Sequence, residues 1–301
     1  STSLNYDSES TYDFKIPRYG DLLGDTYMSF DLPDIWSPFW YDSTDGKQNV
    51  INNSNYVPFE FKWIENIGAH LIKDVTISIG GSIIGRYDGE YFYMLNVRDD
   101  TGNKNRMWNK MTGNIAELNN PESVNDGNYP NAFKPEDVLT NIEPSIRGRK
   151  LYIPLKFWFT HAAKCAFPLV ALQYVEMNIK ITLRPIRELF MIRDVKDHVY
   201  RYPYVAPKNS EASHQLFRFL QPPPEQKITE SVNYPNTLNQ WNPNMHLIST
   251  YYFLTNDERT LVAKNSQRYI LNDVYIKEYE NVTGSQSCLL YTSDAADDAN
   301  C

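Results

Sequence analysis

Residues 151–184 read LYIPLKFWFTHAAKCAFPLVALQYVEMNIKITLR. In the second half Val175, Met177, Ile179, Ile181 and Leu183 alternate with Glu176, Asn178, Lys180, Thr182 and Arg184. Successive side chains of an extended chain point to opposite faces, so this period of two sorts apolar from polar without a miss. It predicts a half-buried strand of an antiparallel sheet, wet on one face. The first half also alternates, at Leu151, Ile153, Leu155, Phe157 and Phe159, and predicts a strand over the whole of that stretch. Its other face carries Tyr152, Pro154, Lys156 and Trp158, which is a less cleanly wet set. Pro154 has no N–H to give a ladder, so it predicts an edge position or a bulge. A compact, Pro-interrupted turn joins the two strands.

The same pattern extends outward. Tyr12, Phe14 and Ile16 alternate with Asp13 and Lys15, and after the turn Arg18-Tyr19-Gly20-Asp21 so do Met28, Phe30 and Leu32. Val75, Ile77 and Ile79 run into Gly80-Gly81, a two-residue hairpin signal, and Ile83 and Ile84 begin the return. Glu90 to Val97 suits one or two helical turns, and Asp99 to Asn131, rich in Asn and Gly without periodicity, reads as a long surface excursion. Asp197 to Glu225 is Tyr- and Pro-rich and reads as a stiff connector. Beyond it come a strand over Met245 to Leu254 and a short helix. There Thr255 and Glu258 have the spacing of a capping box, with Asp257 beside the helix N-terminus. Ile270 to Tyr279 predicts a further strand. Strands do not alternate with helices, so a parallel α/β fold is excluded and the reading is all-β.

Composition narrows the function classes. Of 301 residues 42% are apolar and 22% charged, enough for a packed core. The 22 Tyr, 14 Phe and 6 Trp suit strands and interfaces, and 18 Pro and 13 Gly suit many turns. The net charge is −8 and there is no basic run to neutralise phosphates, so direct nucleic-acid binding is not expected. No apolar run reaches membrane-spanning length.

Four blocks carry a family resemblance. They are Phe14 to Pro33 (FKIPRYGDLLGDTYMSFDLP), Trp63 to Arg86 (WIENIGAHLIKDVTISIGGSIIGR), the opening stretch through Tyr174, and Phe253 to Tyr269 (FLTNDERTLVAKNSQRY). In this order they resemble segments of the major capsid proteins of nucleocytoplasmic large DNA viruses, of the mimivirus, phycodnavirus and iridovirus kind. The last block departs from the family pattern, with Gln267-Arg268-Tyr269 for His-Glu-Tyr and Val262-Ala263 for Phe-Ala. The resemblance implies a double jelly roll, two eight-stranded antiparallel sandwiches with short helices in the loops. It divides the chain into a first jelly roll over 1–205, a Pro-rich linker over 206–240 and the start of a second jelly roll over 241–287. It further implies a structural role without enzymatic activity or cofactor. The partners would be two more copies in a homotrimeric capsomer, minor capsid proteins and, indirectly, an internal membrane, in a shell assembled in the infected-cell cytoplasm. The alternatives are a poxvirus-type scaffold homologue and, from another class, a carbohydrate-binding or glycosidase jelly roll.

The ends are read separately. Residues 288–301 contain CLLYTSDAADD, which in translation matches a transposase adapter used in shotgun sequencing. The tail is read as adapter read-through, and the resemblance implies a missing arm before Ser1 and a longer continuation after about Ser287. The tail holds Cys288 and Cys301, leaving Cys165 alone in the native part, which fits a reducing compartment.

Candidate sites are few. His70, His161, His198, His214 and His246 are scattered, without a metal-binding spacing. Cys165 lies four residues after His161, but a buried, inert thiol is the favoured reading. Asn52 and Asn281 open N-glycosylation triplets. Trp36, Phe39, Trp40 and Tyr41 cluster in a long loop and read equally as a sandwich-end core or as a contact patch between subunits.

Overall fold

The computed structural model describes residues 3–41, 56–132, 142–172, 174–224, 227–271 and 274. The strands are β1 (Ser10–Lys15), β2 (Leu22–Leu32), β3 (Phe39–Tyr41), β4 (Tyr56–Pro58), β5 (Phe61–Trp63), β6 (Ile72–Ile79) and β7 (Ser82–Tyr87). After a helical excursion come β8 (Arg149–Pro154), β9 (Phe167–Pro168), β10 (Met177–Leu183), β11 (Phe190–Arg193), β12 (Tyr204–Val205) and β13 (His246–Tyr252). The helices are α1 (Ile67–His70), α2 (Gly89–Asp99), α3 (Asn103–Thr112), α4 (Ala116–Asn119) and α5 (Asn256–Lys264).

The ladders are antiparallel and nested. β1 pairs with β10, β2 with β8 and β9, and β6 with β7. One sheet has the order β1-β10-β6-β7, a second β13-β2-β8, and a third β12-β11-β5. Early strands pair with late ones around an inner hairpin, as when a jelly roll wraps a long hairpin into a sandwich. The two strands of the opening stretch therefore fall in different sheets. β10 sits between β1 and β6, and its alternate residues Met177, Ile179, Ile181 and Leu183 are all buried. Its wet face carries Lys180, which is exposed. The inner hairpin turns at Gly80 (φ 59°) and Gly81 (φ 83°), left-handed positions that the two-residue turn requires and glycine takes without strain.

Three readings are corrected by the packing. The first strand stops at Pro154 instead of running to Phe159, because the ladder loses its donor there and the chain turns. β8 is an edge strand, as Pro154 requires. The turn buries Phe157, Phe159 and Trp158 together, in a cluster where Trp158 meets Phe159 edge-on at 5.1 Å between ring centres. The excursion after α2 is no free loop, since its Trp108 and Leu118 join the hydrophobic core. The Tyr129 hydroxyl donates to the Phe61 carbonyl at 2.7 Å. Residues 206–240, expected as an extended connector, contribute Leu216, Phe219, Ile228 and Tyr234 to that same core. β13 hydrogen-bonds to β2 across from β8 and covers an edge that an 11-residue strand would otherwise expose. The helical expectations held: α2 spans the predicted turns, and Thr255 and Glu258 form a reciprocal capping box on α5.

Candidate functional site

Three of the four blocks singled out in the sequence converge on one junction. The turn before β2 presents Asp21, which is 8% exposed. Its backbone N–H donates to the Tyr252 carbonyl at 3.0 Å, and its carbonyl accepts from the Val170 N–H at 3.0 Å. Its carboxylate accepts from the Leu254 N–H at 2.8 Å. The Arg259 guanidinium closes a two-pronged pair, Nη2 to Oδ2 at 3.0 Å and Nε to Oδ1 at 2.8 Å. Two parallel charge-assisted bonds fix orientation as well as distance. The Arg259 guanidinium, with the Leu254 N–H, holds the Asp21 carboxyl below its ordinary value.

The local sequence explains the close approach. A Cβ on Gly20 would lie 2.7 Å from the Tyr251 Cβ and 3.2 Å from the Tyr252 carbonyl, so only glycine admits β13 here. The capping box sets the first turn of α5 and so aims Arg259 back at Asp21. A second tie lies nearby: the Tyr269 hydroxyl donates to the Ala166 carbonyl at 3.0 Å, with its ring 6.2 Å from Phe167. Around the junction Tyr19, Tyr174, Phe253, Leu261 and Ile270 are exposed. An open cleft of about 410 Å³ is lined by Arg18, Gly20, Asp21, Leu169, Val170 and Tyr174.

This is a clasp, with Asp21 fully engaged in holding chain segments together. Among the described residues no cluster of His, Cys, Asp and Glu could hold a metal ion, and no helix is long and apolar enough to cross a membrane. His161 is exposed and His214 buried. Cys165 is partly exposed on a short 3-10 turn, against the expectation of a buried thiol. The aromatic cluster divides. Trp40 is buried against Phe59, with ring centres 6.0 Å apart, while Trp36, Phe39 and Tyr41 are half-buried. The Tyr41 N–H donates to the Ile228 carbonyl at 2.8 Å and the Trp36 N–H to the Phe219 carbonyl at 2.9 Å, so this loop packs on the 206–240 segment. Asn52 and Asn281 lie outside the described residues.

Sequence reasoning quoted Asp21 and Arg259 but did not pair them. Neither stood out as a partner, because each block holds other charges: Lys15, Arg18, Asp25 and Asp31 around Asp21, and Asp257, Glu258, Lys264 and Arg268 around Arg259.

Residues 1–214 match the family described as major capsid protein N-terminus, and the chain belongs to that family. It is 25% identical to "Probable capsid protein 4" of Acanthamoeba polyphaga mimivirus, over 93% of this chain and 59% of that protein. It is 26% identical to the major capsid protein of Phaeocystis pouchetii virus, over 90% of this chain and 44% of that one. The chain thus spans about half the length of the curated relatives it matches. Among solved structures, PBCV-1 VP54, fitted into a reconstruction of the virophage Sputnik, aligns with 88% of this chain and 42% of its own, at 16% identity and a TM-score of 0.49.

Proposed function

We propose that this chain is the amino-proximal part of a major capsid protein, a structural subunit that forms homotrimeric, pseudo-hexagonal capsomers tiling an icosahedral virion shell. The observation that carries this is the family match over residues 1–214, on a sandwich whose fold fits it. In this reading the whole protein is a double jelly roll, and β13 and α5 lead from the first sandwich toward the second. Two near-equivalent sandwiches per chain give a trimer six lobes, an outline that packs in a plane, and closed interfaces cover sheet edges. The half-buried Trp36, Phe39 and Tyr41 are the proposed subunit contacts, since aromatics are enriched at interfaces. Minor capsid proteins and an internal membrane complete the set of partners, assembly takes place in the infected-cell cytoplasm, and no catalytic role or cofactor is assigned. Asn52 and Asn281 are carried only as proposed glycosylation positions.

The test is to express the full-length protein and weigh it by native mass spectrometry. A stable trimer that forms hexagonal arrays on a grid supports the proposal. A monomer that binds oligosaccharides overturns it in favour of a carbohydrate-binding jelly roll.

A further inference from the structure

We propose that Glu60, Tyr204 and Glu122 form a proton-operated latch that holds the helical excursion, residues 99–132, against β5, β11 and β12. The proposal stands apart from the capsid reading and rests on counting donors. Glu60 is 2% exposed and precedes β5. The Tyr204 hydroxyl, on β12, touches both Glu60 Oε2 and Glu122 Oε1, the second at 2.9 Å. Glu122 lies in the 3-10 turn Pro121–Val124, inside the excursion.

A phenol has one O–H and can donate it once. Two ionised carboxylates offer only acceptors, so one of the two contacts would set oxygen against oxygen. The arrangement closes only when one carboxyl carries a proton. That proton comes from solvent and returns to it, and no bond between heavy atoms changes.

The surrounding charges decide which carboxyl holds it. Arg193, on β11, pairs with Glu60 through Nη1, while its Nε donates to the Tyr202 carbonyl at 3.1 Å. The Lys62 ammonium, on β5, sits 3.8 Å from the centre of the Tyr204 ring. Tyr129 faces the pair with its hydroxyl bonded to Phe61 and Ser37, and burial keeps it neutral. Burial first, and then the hydrogen bond with Glu122, push Glu60 up to about 7, against the pull of Tyr204 and Arg193. Burial also opposes the charge on Glu122. The hydrogen bonds with Glu60 and Tyr204 and the charges of Arg193 and Lys62 outweigh it, and the Glu122 carboxyl is held low. Glu60 is therefore the acid and Glu122 the anion, as in other carboxyl pairs whose environments split them.

The sign follows. The closed latch holds a proton that the open one releases, so its extra stability is fully present below the ordinary glutamate value of 4.5 and is lost as pH rises from there through about 7. In the full chain, backbone hydrogen exchange of residues 116–129 is measured at two pH values and corrected for intrinsic rates. Protection should fall roughly tenfold between about pH 6 and about pH 8. The amides of Ile179 and Ile181 in β10 should keep theirs, because the opening is local.

The amide of E60Q supplies an N–H where protonated Glu60 supplies its O–H, so E60Q should hold the acid-side protection at both pH values. If E60Q does not fold, E122Q decides, since it removes the second negative charge and should flatten the same dependence. Unchanged protection in the unmodified chain overturns the latch. So does an equal loss at β10, or a tenfold fall that persists in the folded variants.

Discussion

β10 and β13 are both seven-residue antiparallel strands, and they end in opposite environments. β10 has strands on both sides, and every second side chain is fully buried. β13 lies at a sheet edge, and none of its side chains is buried: Ile248 is 46% exposed and Leu247 only half-covered. Both carry apolar residues, and both are held to a neighbour by backbone bonds. The difference lies in what covers the face. A ladder supplies hydrogen bonds, whose net contribution is small, whereas closing a face removes apolar area from water. β10 is held by burial, while β13 is held by its ladder and by the clasp at Asp21.

The sharpest challenge to that contrast lies outside both strands. Phe219 belongs to a segment whose sequence suggested a connector, yet it is fully buried between Phe59 and Phe61, with ring centres 4.9 and 5.3 Å away. F219A should cost about 3–5 kcal/mol in equilibrium unfolding of the full chain. A loss below about 0.5 kcal/mol would return the segment to the status of a surface connector. Next, I179A in β10 should cost about 2–5 kcal/mol, again by denaturant titration.

Removing the guanidinium in R259A leaves a nearly buried carboxylate with one partner fewer, and should cost about 1–3 kcal/mol. Its pH signature is specific. The Asp21 carboxyl is held low when folded, so its contribution is present above about 4 and is lost as pH falls through the lower, folded value. R259A should therefore unfold with a shallower acid dependence than the unmodified chain, read by circular dichroism. A parallel pair of acid titrations would show that Arg259 does not set the Asp21 carboxyl. The smallest effect is expected at β13 itself. I248A should shift stability by no more than about 0.5 kcal/mol. A loss as large as that of I179A would mean that something covers this face.

The legible part of the molecule was local. The alternation from Met177 to Leu183, the Gly80-Gly81 turn and the Thr255–Glu258 box each depend on neighbours a few residues away, and each formed as expected. The misreadings share one cause. Leu151 to Phe159 alternates, but Pro154 and the aromatic cluster around Trp158 end the strand early. The polar excursion and the Pro-rich segment look unfoldable by composition, yet Trp108, Leu118, Phe219 and Tyr234 fill space left by distant strands. Isolated aromatics in polar surroundings give no periodic signal.

By itself the sequence determined the all-β class, the strand faces, the turns and the family, because side-chain period and turn chemistry are set within a few bonds. Tertiary structure alone decided that β8 and β10 belong to different sheets, that residues 206–240 fold onto the core, and that Asp21 meets Arg259. Those outcomes depend on which surfaces find each other across some two hundred residues of chain. That choice is made by burial and by satisfying buried polar groups, not by local propensity.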